Sequence, residues 1–258
     1  MKVLDAEELR VAEGLLFKHL PKSLKVYGFL TGMNRNKVNT VDVVVDKWPD
    51  FKVIICRPDL KVSYTVSFST DEQILRRMLT EENSLDWSTY FMVGGEFRTE
   101  LCSCRCIWKN CPHRHMQTQQ QHKSVLVENF LISSLNDSHV ELVNNSWKFG
   151  GDEAEYWNIK NLISNFPSCC ITDDQGQPVS WILVYNYCAM GILYTLPEHR
   201  GKGYAKIVIS TLARKLHAEG YPVYCFIEED NEVSYRLFKK MGFTDDPSYR
   251  AAWFEFNF

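Results

Sequence analysis

The chain has 258 residues, 45% of them hydrophobic and 13% aromatic, and a formal net charge of −3. This length allows one large core or two medium ones, and the charge argues against nucleic acid or an anionic membrane as the main partner. No apolar run approaches the ~20 residues that a membrane-spanning helix needs. Nine cysteines, and an acidic start at residues 1–10 without an apolar h-region, lead us to expect a reducing compartment and free thiols.

The N-terminal part alternates helical and extended patterns. Apolar residues at helical spacing predict a helix within residues 3–20, with Pro21 just beyond its end. Ser23 to Leu30 alternates apolar and polar residues, which predicts a strand. The later patterns predict a hairpin, a strand and a helix capped by Asp71, at residues 41–45 with 51–56, 64–69 and 71–79.

The middle of the chain changes in composition. Residues 87–97 predict a pair of strands around Gly94-Gly95. A Cys/His cluster and a Gln-rich stretch follow; the cluster consists of Cys102, Cys104, Cys106, Cys111, His113 and His115. These groups are sufficient for zinc, but they lack the Cys-x₂-Cys pairing of ordinary structural zinc sites. Because alternation on a strand places the first three thiols on one apolar face, we predict no metal site, and we interpret residues 99–136 as an interdomain region.

The C-terminal part predicts two helices, three strands, a helix, a strand, a helix and a last strand. The segments are residues 140–145, 153–165, 169–172, 179–185, 190–196, 204–219, 223–227, 231–240 and 252–256. Gly220 and Gly242 follow two of the helices, as glycine commonly does. We therefore predict an N-terminal α+β domain at residues 1–98 and a second domain at residues 137–258.

A basic, glycine-rich loop connects the third of these strands to the helix that follows. It reads Arg200-Gly201-Lys202-Gly203-Tyr204-Ala205. A strand, a glycine loop and a helix together form a common phosphate site, because loop N–H groups and the positive helix end point to one place. A side chain at position 201 or 203 would hold the backbone away from a pyrophosphate. The alternative is a plain strand–helix turn with solvated basic residues.

The loop and a second segment together resemble the GNAT superfamily of acyl-CoA N-acyltransferases. The acyl-CoA motif, Gln/Arg-x-x-Gly-x-Gly/Ala, is matched by Arg200, Gly203 and Ala205. The second motif, Asn-x-x-Ala/Ser-x-x-Leu-Tyr-x-x-x-Gly-Phe, is matched by Asn231, Ser234, Leu237, Gly242 and Phe243, with Phe238 where tyrosine is usual. The glycine N-acyltransferase family is the nearest resemblance, on the segments Leu24-Lys25-Val26-Tyr27-Gly28, 45–51, 147–151, Phe166-Pro167 and Thr195-Leu196-Pro197-Glu198.

This resemblance implies an α+β fold, a GNAT domain with a mixed, splayed sheet preceded by a smaller α+β domain. It implies direct transfer of an acyl group from acyl-CoA to the amino group of glycine or another small amino acid, by a monomer without a metal. Mitochondrial residence is typical of the family, although the acidic N-terminus is unlike a standard presequence and leaves the cytoplasm as the alternative. Two other functions stay open: acylation of a protein N-terminus or lysine, and acyl-CoA binding without catalysis.

The resemblance also assigns the coenzyme contacts. Pantetheine is expected between the strands at 190–196 and 223–227, its amides pairing as an added strand would. The expected contacts are Thr195, Leu196, His199, Arg200, Gly201, Lys202, Gly203, Tyr204, Ala205, Asn231 and Ser234. Asn231 has a second physical role as the N-cap of its helix.

Catalysis needs a general base, because the attacking amine is mostly protonated at neutral pH. Some relatives carry a glutamate on the third strand, but residues 181–196 contain no acidic residue and Ala189 lies near that position. Glu228, at the end of the next strand, is the predicted base; the alternative is a solvated strand end. The acceptor carboxylate needs a cation, for which Arg236, Arg250 and Lys148 are candidates.

Overall fold

The computed structural model describes residues 1–35, 41–58, 64–80, 91–96, 103–108 and 131–256. Within these residues twelve strands form one mixed sheet, in the order β1-β2-β3-β4-β5-β12-β6-β11-β10-β9-β8-β7. The strands are β1 Lys2–Val3, β2 Val41–Val45, β3 Val53–Pro58, β4 Tyr64–Ser69, β5 Phe91–Glu96, β6 Ser103–Trp108, β7 Leu131–Ser133, β8 Ser168–Thr172, β9 Pro178–Val184, β10 Met190–Thr195, β11 Tyr224–Glu228 and β12 Thr244–Phe256. The helices are α1 Ala6–Leu16, α2 Leu24–Asn34, α3 Glu72–Thr80, α4 Val140–Ser146, α5 Glu153–Asn165, α6 Tyr204–Ala218 and α7 Glu232–Lys240.

The predicted cap of α3 is present, and the structure adds one at α1. Asp5 caps α1 and forms a capping box with Glu8. The Oδ1 of Asp71 accepts a hydrogen bond from the Ile74 backbone N–H at 3.2 Å, at the start of α3. The predicted hairpin is also confirmed, since β2 and β3 pair in antiparallel register.

The predicted strand at Ser23 to Leu30 is wrong, because these residues lie in and just before α2. The helix is covered on most sides: its residues from Leu24 to Gly32, except Tyr27, are all buried. A helix buried in this way has no polar stripe to show a 3.6-residue period. The polar residues Ser23 and Lys25, which suggested alternation, are themselves buried.

The middle of the chain contributes strands to the sheet of both halves. Gly94-Gly95 lies within the single strand β5, so the predicted turn there is wrong; residues 87–90 lie outside the described residues. β6, which belongs to the stretch interpreted as interdomain, pairs with β11 on one side and β12 on the other. Since β12 also pairs with β5, the sheet continues from one half into the other.

The C-terminal half has the predicted order of elements. β8, β9 and β10 form an antiparallel meander, and α6 packs on it through buried Val208, Leu212 and Leu216. Gly220, with φ of +74°, follows the end of α6. No helix in the described ranges is both long and apolar enough to cross a membrane.

Helix α2 joins the two halves. A Cβ added to Gly28 would lie 1.8 Å from the carbonyl oxygen of Tyr187, in the turn between β9 and β10. The Tyr224 hydroxyl of β11 donates a hydrogen bond to that same carbonyl and lies 3.2 Å from the Leu24 carbonyl oxygen. Lys25 donates to the Ala252 carbonyl oxygen at 3.2 Å. The helix is therefore fixed against the C-terminal sheet.

Candidate active site

The cleft of the site lies between the parallel strands β10 and β11. Within the described residues they share a single register pair, Met190 with Cys225. The strands diverge beyond this pair, so that Thr195 and Glu228 end β10 and β11 at the open edge. The splay that the family resemblance implied is confirmed. An extended chain in this gap finds strand backbone on both sides.

A bulge interrupts β10 inside the cleft. The register with β9 shifts between Gly191 and Tyr194, and Ile192 has a left-handed φ of 49°. Because Ile192 and Leu193 have no place in the β9 register, the bulge turns their backbone groups out of the ladder. Gly191 is needed here, since an added Cβ would lie 2.1 Å from the Tyr185 ring.

The glycine loop follows β10 and starts α6. Gly201 and Gly203 have φ of +77° and +83°, which favour glycine, and an added Cβ at either position would meet nothing within 4 Å. Gly203 is the N-cap of α6 and supplies no side chain to the first turn. Amides at a helix start have no intrahelical acceptor, so this end presents donors and the positive pole of the helix. The residues present fit a pyrophosphate.

The basic side chains of the loop differ in their contacts and exposure. Arg200 is anchored: its Nε donates to the Thr195 carbonyl oxygen at 3.0 Å, and its guanidinium lies 5.5 Å from the centre of the Tyr194 ring. Lys202 and Lys206 are exposed. The His199 ring lies 6.3 Å from that of Tyr204. Tyr204 is only 3% exposed and packs in the core, so only its backbone faces the loop.

The second motif has a structural role in α7. Asn231 caps the helix, accepting a hydrogen bond from the Ser234 N–H at 3.1 Å, as predicted. Phe238 is 3% exposed and packs edge-to-face on Phe243, with ring centroids 5.0 Å apart. The position at which relatives carry tyrosine therefore belongs to the core here and offers no hydroxyl. The coenzyme contacts of Asn231 and Ser234 stay predictions.

The predicted base, Glu228, is held by one of the three predicted cations. The Lys148 Nζ donates to both Glu228 carboxylate oxygens at 2.9 Å. Arg250 instead contacts Glu229 at 2.7 Å, and Arg236 contacts Glu232 at 3.7 Å. The structure thus brings Lys148 and Glu228 together, although 80 residues separate them in sequence. Ala189 is fully buried among apolar residues.

The sequence did not identify the aromatic side chains that border this part of the cleft. Residues 224, 226 and 228 alternate onto the sheet face that α2 covers, where Phe226 lies 5.3 Å from the Lys25 Nζ. Tyr187 packs near Phe226, and the ring of Tyr185 stacks on Tyr187 at 5.1 Å. Their alternation was the available signal, but it indicates an ordinary core equally well.

The Cys/His cluster lies mostly outside the described residues. Cys104 and Cys106 belong to β6, whereas Cys102, Cys111, His113 and His115 are not described. No group of metal-ligating side chains was found among the residues that the structure describes. The prediction of no metal site is therefore not tested.

Comparison with models of known protein families identifies the family to which the chain belongs. The model for aralkyl acyl-CoA:amino acid N-acyltransferases matches residues 1–105 and 96–167, more than half of the chain. The chain belongs to this family. A second model, for FR47-like proteins, matches residues 170–253, which include the cleft and the glycine loop. The predicted family resemblance is confirmed.

Individual relatives match along nearly the whole chain. The glycine N-acyltransferase of Bos taurus is 28% identical over 284 residues, covering 96% of both proteins. The human glycine N-acyltransferase is 29% identical, with 93% of this chain and 92% of the relative covered. The glycine N-phenylacetyltransferase of Bos taurus is 28% identical over 87% of this chain and 88% of its own.

Solved structures confirm the fold. A Drosophila protein of 15% identity superposes with a TM-score of 0.73 over 98% of this chain and 97% of its own. A GCN5-related N-acetyltransferase-like protein from Streptococcus suis, 16% identical, gives a TM-score of 0.53 over 97% and 99%. The chain therefore has the predicted α+β GNAT fold.

Proposed function

We propose that this protein transfers an acyl group from acyl-CoA to the amino group of glycine or another small amino acid, forming an N-acyl amino acid. Family membership along most of the chain carries the proposal. The glycine loop and the splayed strands β10 and β11 support it, since they supply phosphate donors next to a gap that admits pantetheine.

The proposed reaction is a direct transfer. The amino nitrogen attacks the thioester carbonyl, a C–N bond forms, the C–S bond breaks and coenzyme A leaves as thiolate. One proton leaves the ammonium before attack, and a second leaves the tetrahedral adduct and ends on the thiolate. Because a thiol has a pKa of about 8.5, the thiolate leaves without an obligatory acid, which is consistent with Phe238 in place of tyrosine.

Two groups of the cleft are suited to accept the ammonium proton and to stabilise the oxyanion. Glu228, at the open end of β11, is the proposed acceptor of the ammonium proton. The backbone N–H groups at the β10 bulge, Ile192 and Leu193, are the proposed donors to the oxyanion, because they lie outside the β9 ladder.

The cover provided by α2 favours a small acceptor over a protein. α2 packs on the face of β11 that carries Tyr224, Phe226 and Glu228, through the Tyr224 hydroxyl and Lys25. A protein N-terminus or lysine needs an open groove on this face. Acyl-CoA binding without catalysis is the other alternative, motivated by the loss of the strand glutamate at Ala189 and of the tyrosine at Phe238.

A thiol-release assay ranks these functions. Purified protein is mixed with a panel of acyl-CoAs, and free thiol is followed without acceptor, with small amino acids, and with a peptide of free N-terminus and lysine. We expect release to depend on the amino acid. Release with the peptide alone would favour the protein acceptor, and tight acyl-CoA binding without any acceptor-dependent release would favour the non-catalytic binder.

Replacing Glu228 tests the base. In Glu228→Gln we expect turnover to fall ~10²-fold or more at neutral pH and to recover as pH rises, because deprotonated amine becomes more abundant. The pH dependence of kcat/KM measures this, with Glu229→Gln as the neighbouring control. An unchanged pH–rate profile would remove Glu228 as the base.

Residence in mitochondria, and a monomeric state, follow from the family resemblance alone and remain proposals. Fractionation of cells that express the tagged full chain tests the first. Sedimentation of the purified protein tests the second.

A further inference from the structure

The ion pair in the cleft carries charges of both signs and is not needed to bind the anionic coenzyme A. Lys148 and Glu228 carry one charge of each sign, 2.9 Å apart, at the open end of β11. The anionic phosphates are expected instead at the glycine loop, which follows β10. Lys148 comes from the segment after α4, and Glu228 from the sheet. The pair therefore joins two separate parts of the cleft wall.

The pair is able to open. The side chain of Lys148 is 62% exposed and that of Glu228 34% exposed. An ion pair this exposed contributes little to stability, because water and salt screen it and two long side chains must be ordered. Its geometry is bidentate, with the Lys148 Nζ 2.9 Å from both carboxylate oxygens. An amine that approaches Glu228 therefore competes with the lysine for these oxygens.

We propose that Lys148 and Glu228 form the receptor for the zwitterion of the acceptor amino acid, by exchange of partners. The ammonium of the amino acid replaces Lys148 on Glu228, and its carboxylate replaces Glu228 on Lys148. Every charge that the opened pair exposes is then met by an opposite one. This inference rests on the proposed function and assigns the two side chains that hold its acceptor.

The exchange of partners explains both which acceptors are selected and how the amine is positioned at the base. The amine competes best for the base when a carboxylate close to it occupies Lys148. A simple amine, an amino amide or the side chain of a peptide lysine satisfies Glu228 but brings no carboxylate to Lys148, so it gains one charged contact where an α-amino acid gains two. The two other candidate cations are less suitable, because Arg250 and Arg236 contact Glu229 and Glu232 rather than the base.

Kinetics with paired acceptors tests the proposal. The full chain and Lys148→Gln are assayed with glycine and with glycinamide, which keeps the amine and lacks the carboxylate. The control is Lys52→Gln, which removes the ion pair between Lys52, in the β2–β3 turn, and Asp71. The side chains of Lys52 and Asp71 are 52% and 28% exposed, similar to those of the pair in the cleft. It removes equal charge far from the cleft.

We expect Lys148→Gln to lower kcat/KM for glycine ~10-fold or more, the usual effect of losing a hydrogen bond between charged groups. The value for glycinamide should not fall, because glycinamide has no carboxylate for the lysine and no longer competes with it for Glu228, and KM for acyl-CoA should change less than about twofold. Lys52→Gln should match the wild type with both acceptors. Equal losses on glycine and glycinamide would overturn the proposal.

Equilibrium binding gives a readout without turnover. Labelled glycine is titrated into the protein loaded with coenzyme A and followed by NMR, with the same variants. Binding weakened ~10-fold in Lys148→Gln alone supports the receptor even if the wild type releases no thiol, in which case only the proposed function fails. Equal binding by wild type and Lys148→Gln, or none by either, would overturn the receptor.

Discussion

At the scale of residues, the glycines of the loop are the positions on which acyl-CoA binding most depends. The motif identified Gly203 from sequence, and the structure adds the reason: its φ of +83° favours glycine, and the space beside it is open. The sequence also identified Glu228, Lys148 and Arg250 as candidates. It did not show that the base is contacted by Lys148 rather than by Arg250. Side-chain partners that distant elements bring together have no local pattern to read.

Gly203→Val separates a role in binding from a role in folding. The side chain strains the left-handed backbone by roughly 1 kcal/mol or somewhat more and holds a pyrophosphate away from the loop amides. We expect affinity for acyl-CoA to fall more than ~10-fold, measured by calorimetry, with a small decrease in Tm.

The control for this variant is Gly176→Val, in the turn between β8 and β9. Gly176 has φ of +80° and equally open surroundings, but lies outside the candidate site. It should lose similar stability and keep its affinity. If Gly203→Val binds acyl-CoA as Gly176→Val does, our placement of the pyrophosphate is wrong.

At the scale of elements, prediction succeeded where one face of an element meets solvent or a cap marks its start. The bounds of α5, Glu153–Asn165, agree with the sequence prediction, and Asp152 caps it. It failed for α2, whose residues are buried on most sides and so show no helical period. The position of β6 between β11 and β12 was also unpredictable, because pairing between remote strands leaves no mark in local sequence.

Strand β8 supports a prediction about thiol chemistry. All five of its residues are buried. Burial raises the pKa of the Cys169 thiol to about 11 and that of the Cys170 thiol to about 12. Since the thiolate is the reactive form, we expect neither to be alkylated in the folded protein at pH 8, and both to react in denaturant. Mass spectrometry of the labelled peptides measures this, and rapid labelling of the folded protein would contradict the burial of β8.

The raised pKa values of these two thiols determine how the stability of the fold changes with pH. The folded state holds these thiols neutral, so their contribution is complete below the unfolded pKa of about 8.5 and is lost as pH rises toward the folded values. The free energy of unfolding should therefore fall above pH ~8.5, and less steeply in Cys170→Ala. Urea denaturation between pH 7 and 10 measures both slopes, and parallel slopes would contradict the expected linkage.

At the scale of the whole molecule, the two halves form one continuous sheet with α2 packed across the join. Strands β5 and β6 lie on either side of β12, and the Tyr224 hydroxyl of β11 reaches backbone carbonyls of Leu24 and Tyr187. The cleft is thus built by the C-terminal half but covered by the N-terminal one. The sequence predicted both halves and their fold class without predicting this joint.

Gly28→Ala tests the joint. The added Cβ would lie 1.8 Å from the Tyr187 carbonyl oxygen, so backbone must move, and we expect a loss of roughly 2–3 kcal/mol in the free energy of unfolding. Gly14→Ala, at an open position of α1, is the helical control and should gain up to ~1 kcal/mol. Urea denaturation of the two variants measures the difference, and equal stability would show that α2 does not pack on this turn.

The most direct test of the central claim follows the acyl group itself. Purified protein is incubated with acyl-CoA and isotopically labelled glycine, and free thiol and labelled N-acylglycine are measured together by mass spectrometry. We predict one molecule of N-acylglycine for each thiol released, and loss of both in Gly203→Val. Thiol release that is independent of glycine, with the acyl group recovered as free acid, would contradict the assignment of this protein as an acyl-CoA:amino acid N-acyltransferase.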